Sequence, residues 1–322
     1  MLRRISALVL AVLVVATACG SDDDSADDRP LVVVTTTILG DITANVAGDE
    51  ADVEVLMPIG ADPHSYEASA RQGARLREAD LIVANGVELE EGLLDIIAEA
   101  EGEGVAVLRV GDLLDPKPFV APDAHDHGEE GEDGHEDEGE EAHEHESGLD
   151  AHVWMDPIRM VEAAGLIGEA LRPSLGDDVL ERAAAYQEEL RTLSDEIQAA
   201  IDTIPPERRV LITNHFAYGY YAERYGLEIL GTVIPAATTE AETSAAEFAE
   251  LVELIERERV PAIFGSTTEP ATLAEAIAAE VGFDVEVIKL YTGSLGEEGS
   301  GAETYVAMMS DSTRRIVEAL AG

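Results

Sequence analysis

The chain has 322 residues, 46% of them hydrophobic, which is enough for two domains of ordinary size with cores of their own and sets the class as globular. Its 68 acidic against 20 basic side chains give a formal charge of −48, so nucleic acid and anionic lipid surfaces are poor partners and cations or basic partners are good ones. With one cysteine no disulfide can form within the chain, and stability has to come from core burial.

The amino terminus opens with Met1-Leu2-Arg3-Arg4 and an uncharged stretch from Ile5 to Ser21, short for a membrane span but with the basic and apolar regions of a secretory signal. Ala16-Thr17-Ala18-Cys19 resembles the lipobox of bacterial lipoproteins, in which cleavage precedes the cysteine and lipid is attached to its thiol. Residues 1–18 therefore read as a lipoprotein signal peptide and Cys19 as the lipidation site. Residues 19–30, rich in Asp and Ser, read as an acidic tether. The protein is expected to be extracytoplasmic and held to the cell membrane through a lipid anchor.

From Leu31 short apolar runs alternate with amphipathic stretches. Strands are expected at 31–36, 53–57, 81–84 and 105–110, with helices near 38–47, 69–79 and 91–100. Because the strand runs are apolar throughout, both faces of the sheet should be covered, which implies parallel pairing. After the second strand, Gly60-Ala61-Asp62-Pro63-His64-Ser65-Tyr66-Glu67 places His64 beyond a carboxyl end, the edge where open α/β sheets bind ligands.

Residues 31–160 form the expected first lobe, interrupted by the tract 121–149. Between Asp123 and Glu146 this tract holds five of the eight histidines (His125, His127, His135, His143 and His145) and thirteen carboxylates, with no Lys or Arg. It has too little apolar surface to repay ordering and reads as a solvated, disordered insertion. Imidazole titrates near ~6.5, so at neutral pH its lone pair is largely available, and the composition is that of a segment that gathers divalent metal. The tract runs into Asp150-Ala151-His152-Val153-Trp154-Met155-Asp156-Pro157.

A long helical pattern follows at 174–204, with Leu180, Ala184, Leu190, Leu193, Ile197 and Ile201 at helical intervals and Pro205-Pro206 as its stop. At this length it would reach about 40 Å and run beside two lobes. A second α/β lobe is expected over 206–322, with strands near 209–213, 227–231, 261–265 and 285–290 and helices near 216–225, 243–258, 270–281 and 302–320. Here Thr213-Asn214-His215 puts a third histidine at a strand end, while Tyr218, Tyr220, Tyr221 and Tyr225, at helical spacing, favour core packing over a carbohydrate platform. The expected fold is thus α/β: two lobes, each with a mainly parallel β-sheet flanked by helices, joined by one long backbone helix.

His64, His152 and His215 are the histidines outside the tract, and three neutral imidazoles suit Zn²⁺ better than the harder Mg²⁺ or Ca²⁺. Through ADPHSYE (61–67), DAHVWMDP (150–157), NHFAYGYYAERYGL (214–227) and LYTGSLGEEGSGAETYVAMM (290–309), the chain resembles the metal-binding solute-binding lipoproteins of ABC transporters, specifically the zinc-uptake proteins. The resemblance implies two α/β lobes, a metal held between them by His64, His152 and His215, and delivery of Zn²⁺ as transported ligand to an ABC permease. Manganese or another divalent metal is the alternative cargo.

Many members of that family supply a fourth, carboxylate ligand from a turn that here reads Thr292-Gly293-Ser294-Leu295, with Gly293 where Asp is expected. Water, Glu67, Glu242 or Glu269 would then take the fourth position, and Gly293→Asp would strengthen binding if the turn has room. The rival from another class is a zinc-dependent hydrolase, since three protein ligands plus water is also a catalytic arrangement. No His-Glu-x-x-His or Ser-His-Asp signature supports it, and the chain is not expected to be an enzyme. An adhesin is a third reading, for which no residue argues. If Cys19 carries the lipid, Cys19→Ser will release the protein from membranes or block its processing, as fractionation and immunoblotting would read. Normal membrane retention of that variant would exclude the anchor.

Overall fold

The computed structural model describes residues 29–119 and 148–321. The signal peptide, Cys19, most of the tether and the His-rich tract up to residue 147 lie outside the described residues. Among those described, no helix is long and apolar enough to cross a membrane.

The first half runs β1 (Leu31–Val34), α1 (Thr37–Ala47), β2 (Asp52–Val55), α2 (Ala70–Arg77), β3 (Leu81–Ala84), α3 (Leu94–Gly102) and β4 (Ala106–Arg109). Its sheet is parallel throughout, with strand order β2-β1-β3-β4. The inner strands β1 and β3 are buried at every residue, as expected for strands covered on both faces, whereas β2 and β4 at the edges carry exposed positions.

Two helices, α4 (Pro157–Leu175) and α5 (Asp178–Ile201), lead to the second half. This runs β5 (Val210–Thr213), α6 (Gly219–Tyr225), β6 (Glu228–Thr232), α7 (Ala245–Glu258), β7 (Ala262–Ser266), α8 (Thr272–Glu280), β8 (Glu286–Leu290) and α9 (Tyr305–Ala321). The sheet order β6-β5-β7-β8 repeats that of the first half, again all parallel.

Strand alternation divides the interior into three layers. Val32 and Val34 point into a core that also takes in Leu190 and Ile197 of α5, Tyr220 and Tyr221 of α6, Phe264 of β7 and Met308 of α9. Leu31 and Val33 point the other way, against Leu76 of α2 and Ile97 of α3. On the far side, Ile212 and Ile263 pack with Leu251, Ile255 and Ile277 under α7 and α8. One apolar core therefore runs through both halves, and each sheet keeps a separate core on its outer face. The tyrosines of α6 are inside that common core, with Tyr218, Tyr220, Tyr221 and Tyr225 all buried.

The linking segment differs from the sequence expectation in three ways. The helix expected at 174–204 begins at Asp178, after Gly176, whose φ of 78° favours glycine. It is preceded by α4, which the sequence reading missed because Gly165, Gly168 and Pro173 interrupt the helical pattern. Those glycines have a packing role: a Cβ at Gly168 would lie 3.0 Å from Ala183 Cβ, and one at Gly165 would lie 2.9 Å from Gln187 Nε2, so their absence lets α4 and α5 approach closely. The stripe at the start of α5 is also shifted by one residue, with Val179, Ala183 and Tyr186 buried in place of Leu180 and Ala184. At about 1.5 Å per residue α5 is about 36 Å long, and it packs against both α1 and α9.

Polar groups tie the halves together at the start of α4. Asp156 caps that helix, accepting from Ile158 N at 2.9 Å, and its two oxygens also accept from Arg224 Nε and Nη2 of α6 at 3.0 and 2.7 Å. Trp154 Nε1 donates to Thr292 O (2.8 Å), and Tyr305 OH donates to Trp154 O (2.6 Å). Asp156→Ala is expected to destabilise the fold by about 2–3 kcal/mol, roughly 1 from the cap and the rest from the charged hydrogen bonds. Urea unfolding would measure it, and a double-mutant cycle with Arg224→Ala should show coupling between the two side chains. Additive effects would mean that the pair contributes nothing across the junction.

Candidate metal centre

The three histidines outside the tract converge on one point, from loops of both halves. His64 comes from the loop between β2 and α2, and its backbone N–H donates to Asp62 Oδ1 at 3.1 Å, a local turn that fixes the approach of the ring. His215 follows β5 directly. The two positions are not equivalent in topology, because β2 is an edge strand and β5 an inner one.

His152 enters from the end of the tract. The chain on either side of the tract is joined by an antiparallel bridge between Pro118 and Leu149, with Phe119 N donating to Gly148 O and Asp150 N to Lys117 O. Asp150 then does two things: its Oδ1 accepts from His152 N at 3.0 Å and from His152 Nδ1 at 2.8 Å. Facing a carboxylate, Nδ1 carries the proton, and Nε2 is left with its lone pair toward the other two rings.

His152 Nε2 lies 3.3 Å from His64 Nε2 and 3.2 Å from His215 Nε2. A tetrahedral zinc ion with Zn–N bonds of about 2.0–2.1 Å holds its nitrogen ligands about 3.3–3.4 Å apart. The three rings are 1–5% exposed, and among the described residues they are the one group of His, Cys, Asp and Glu with ligand atoms close enough to share an ion. Burial pushes the His215 imidazole well below its ordinary pKa, and the adjacent His152 and His64 rings push it the same way, so it stays an unprotonated donor at neutral pH. An apolar cavity of about 200 Å³, lined by His64, Val87, Leu89, Phe119, Leu149 and Pro235 among others, opens beside the cluster.

The candidates for a fourth ligand fall away or move outward. Glu67 and Glu242 are exposed, and neither joins the cluster. Glu269 sits behind His215, its Oε1 3.6 Å from Nδ1, while Asn214 Nδ2 donates to its Oε2 at 2.6 Å. Burial, reinforced by the charge of Asp62, raises its carboxyl to about 7, against the lowering effect of the Asn214 bond.

The sequence reading assigned no role to Asp150, although the two-residue step from Asp150 to His152 is the signal that a short carboxylate can reach both N–H groups. It also assigned none to Asn85 and Glu90. Fully buried, Glu90 accepts from Thr35 Oγ1 and Asn85 N, both at 2.6 Å, and Asn85 Nδ2 reaches Ala151 O at 3.0 Å, so the loop after β3 braces the segment that carries His152.

A sequence profile of the family described as the periplasmic component A of the zinc-uptake complex matches residues 32–319. The manganese-binding lipoprotein MntA of Halalkalibacterium halodurans is 28% identical over 321 residues, covering 98% of this chain and 97% of that protein. The zinc-binding protein TroA of Treponema pallidum is 30% identical over 311 residues, covering 94% and 93%. The solved structure of TroA superposes with a TM-score of 0.76 over 91% of this chain and 100% of its own. A manganese-bound periplasmic metal-binding protein of Candidatus Liberibacter asiaticus, 24% identical, shares the fold with a TM-score of 0.74 over 91% of this chain and 100% of its own.

Gly293 corrects the expectation that an aspartate there would simply add a ligand. A Cβ at this position would lie 2.7 Å from Pro63 Cδ and 3.2 Å from Pro63 Cγ, and Pro63 immediately precedes His64. A rigid proline ring cannot swing aside as a long side chain would, so the His64 loop would have to shift. Gly293→Asp is therefore expected to weaken binding of a divalent ion. Titration of both forms checks this, and a tighter variant would show that the loop yields at no cost.

Proposed function

The chain belongs to the periplasmic zinc-uptake component A family, and from that premise we propose that it captures Zn²⁺ outside the cytoplasm and delivers it to an ABC permease. Membership makes it a metal-binding substrate-binding protein of an ABC transporter and not an enzyme. The finer reading, zinc held by His64, His152 and His215, is ours.

The observation that carries it is the spacing of the three Nε2 atoms, 3.2 and 3.3 Å, in a buried site with an all-nitrogen donor set. Manganese prefers oxygen ligands, and no carboxylate oxygen among the described residues joins the cluster. Relatives are named for both metals, so the donor set and not the family supports zinc. With its ligand nitrogens already gathered near one point, the site needs little rearrangement on capture. The fourth position, open to water or to a group on the permease, gives the ion a place to begin its exchange.

The lipid anchor at Cys19 fits the same role, since relatives are named as lipoproteins and a tethered carrier stays near its permease. The strongly acidic surface favours cation approach to the cleft. The His-rich tract before His152 is read as a secondary, weaker reservoir for the same ion.

Each of His64→Ala, His152→Ala and His215→Ala is expected to lose roughly 3–5 kcal/mol of zinc binding, a third of a site worth about 10–16 kcal/mol. Calorimetry with Zn²⁺ and Mn²⁺ on the wild type and the three variants measures this. Unchanged zinc affinity in all three would remove the histidines from the site, and tighter manganese than zinc binding in the wild type would reverse the cargo.

A further inference from the structure

His152 and His215 are both buried ligands in the reading above, yet their outward ring nitrogens are treated differently. His152 Nδ1 is satisfied by Asp150 at 2.8 Å. His215 Nδ1 has no hydrogen-bond partner among the described residues, and neither has Glu269 Oε1, which lies 3.6 Å away. Leaving a buried polar atom unpaired costs about 1–3 kcal/mol. Four such side-chain atoms are found among the described residues, and two of the four face each other here.

The surroundings hold the carboxylate in that place. Asn214 Nδ2 grips Glu269 Oε2 at 2.6 Å, and Asn214 is the residue before His215, so one turn at the end of β5 sets both partners. Closing 3.6 Å to an ordinary N–H···O length of about 2.9 Å needs a movement of about 0.7 Å, within the reach of a ring adjusting to an ion at its other nitrogen.

We infer that Glu269 is a positioning residue for the metal centre: with the ion bound, His215 Nδ1–H donates to Glu269 Oε1, as His152 donates to Asp150. This rests on the reading of His215 as a metal ligand. A ligating imidazole generally gives its second N–H to a carboxylate or carbonyl, which fixes the tautomer and raises the basicity of the ligating nitrogen. Glu269 would then supply negative charge behind the ring. The ion keeps an all-nitrogen donor set and still gains a compensating carboxylate. Glu269 acts through His215 and does not touch the ion.

The test uses the full chain with Zn²⁺ as probe, in two variants. Glu269→Ala is expected to weaken zinc binding roughly 10–100-fold, the usual range for such partners, and, in the zinc-loaded protein, to move the His215 Nδ1–H proton out of the hydrogen-bonded range of the ¹H spectrum. Glu269→Gln, which retains an acceptor oxygen and the side-chain shape, should keep that hydrogen bond and show a smaller loss. Wild-type affinity in both variants, or reduced affinity with the His215 Nδ1–H resonance unchanged in Glu269→Ala, would overturn the inference, since a merely structural role lowers stability without moving that resonance. Should Glu269→Ala not fold, wild-type affinity in Glu269→Gln suffices to overturn it. Zinc that leaves the wild-type His215 nitrogens unshifted would instead overturn the metal-centre reading itself, so the two failures are separable.

Discussion

Three imidazole nitrogens from three separate stretches of chain have to be held close together in a buried site, with His152 Nε2 3.3 and 3.2 Å from the Nε2 atoms of His64 and His215. Ring-to-ring contacts alone are too weak to hold three imidazoles from separate loops at these distances. The surrounding structure has to impose the arrangement, and the core common to both halves does so. Because Val34 of β1, Leu190 of α5, Tyr221 of α6 and Phe264 of β7 share one packed interior, the loops that carry His64 and His215 cannot separate without opening apolar surface.

The eight residues from Asp150 to Pro157 concentrate that control. Asp150 orients His152, Trp154 reaches across to Thr292, and Asp156 caps α4 while binding Arg224 of the other half. Ligand orientation and junction stiffness thus depend on adjacent side chains of one short segment. A disturbance of the junction at Asp156 is only four residues from His152.

Charge is layered as well. The surface is strongly acidic, yet the innermost ring of donors among the described residues is neutral nitrogen, with Asp150 and Glu269 set one atom group farther out. The acidic surface favours the approach of cations, whereas the three converging donors are neutral nitrogen, and the two properties fall to different residues. Glu90 acts from farther away, its buried side chain serving the loop that braces Ala151.

Much of this was legible along the chain. Apolar runs without alternation fixed β1, β3 and β7 as covered parallel strands, because a buried strand needs no polar face. The three histidines outside the tract, and the places of His64 and His215 beyond strand ends, were visible because particular side chains are countable in a sequence. Other features were decided only by the fold. The helix α4 was hidden because Gly165 and Gly168 look like breaks until α5 lies against them. The closeness of Pro63 to Gly293, of Glu269 to His215 and of Arg224 to Asp156 spans large separations in sequence, and no local pattern encodes it. Local sequence determines which groups are available and which face they occupy; which of them meet depends on how the two sheets dock across α5, a property of packing that no single segment contains.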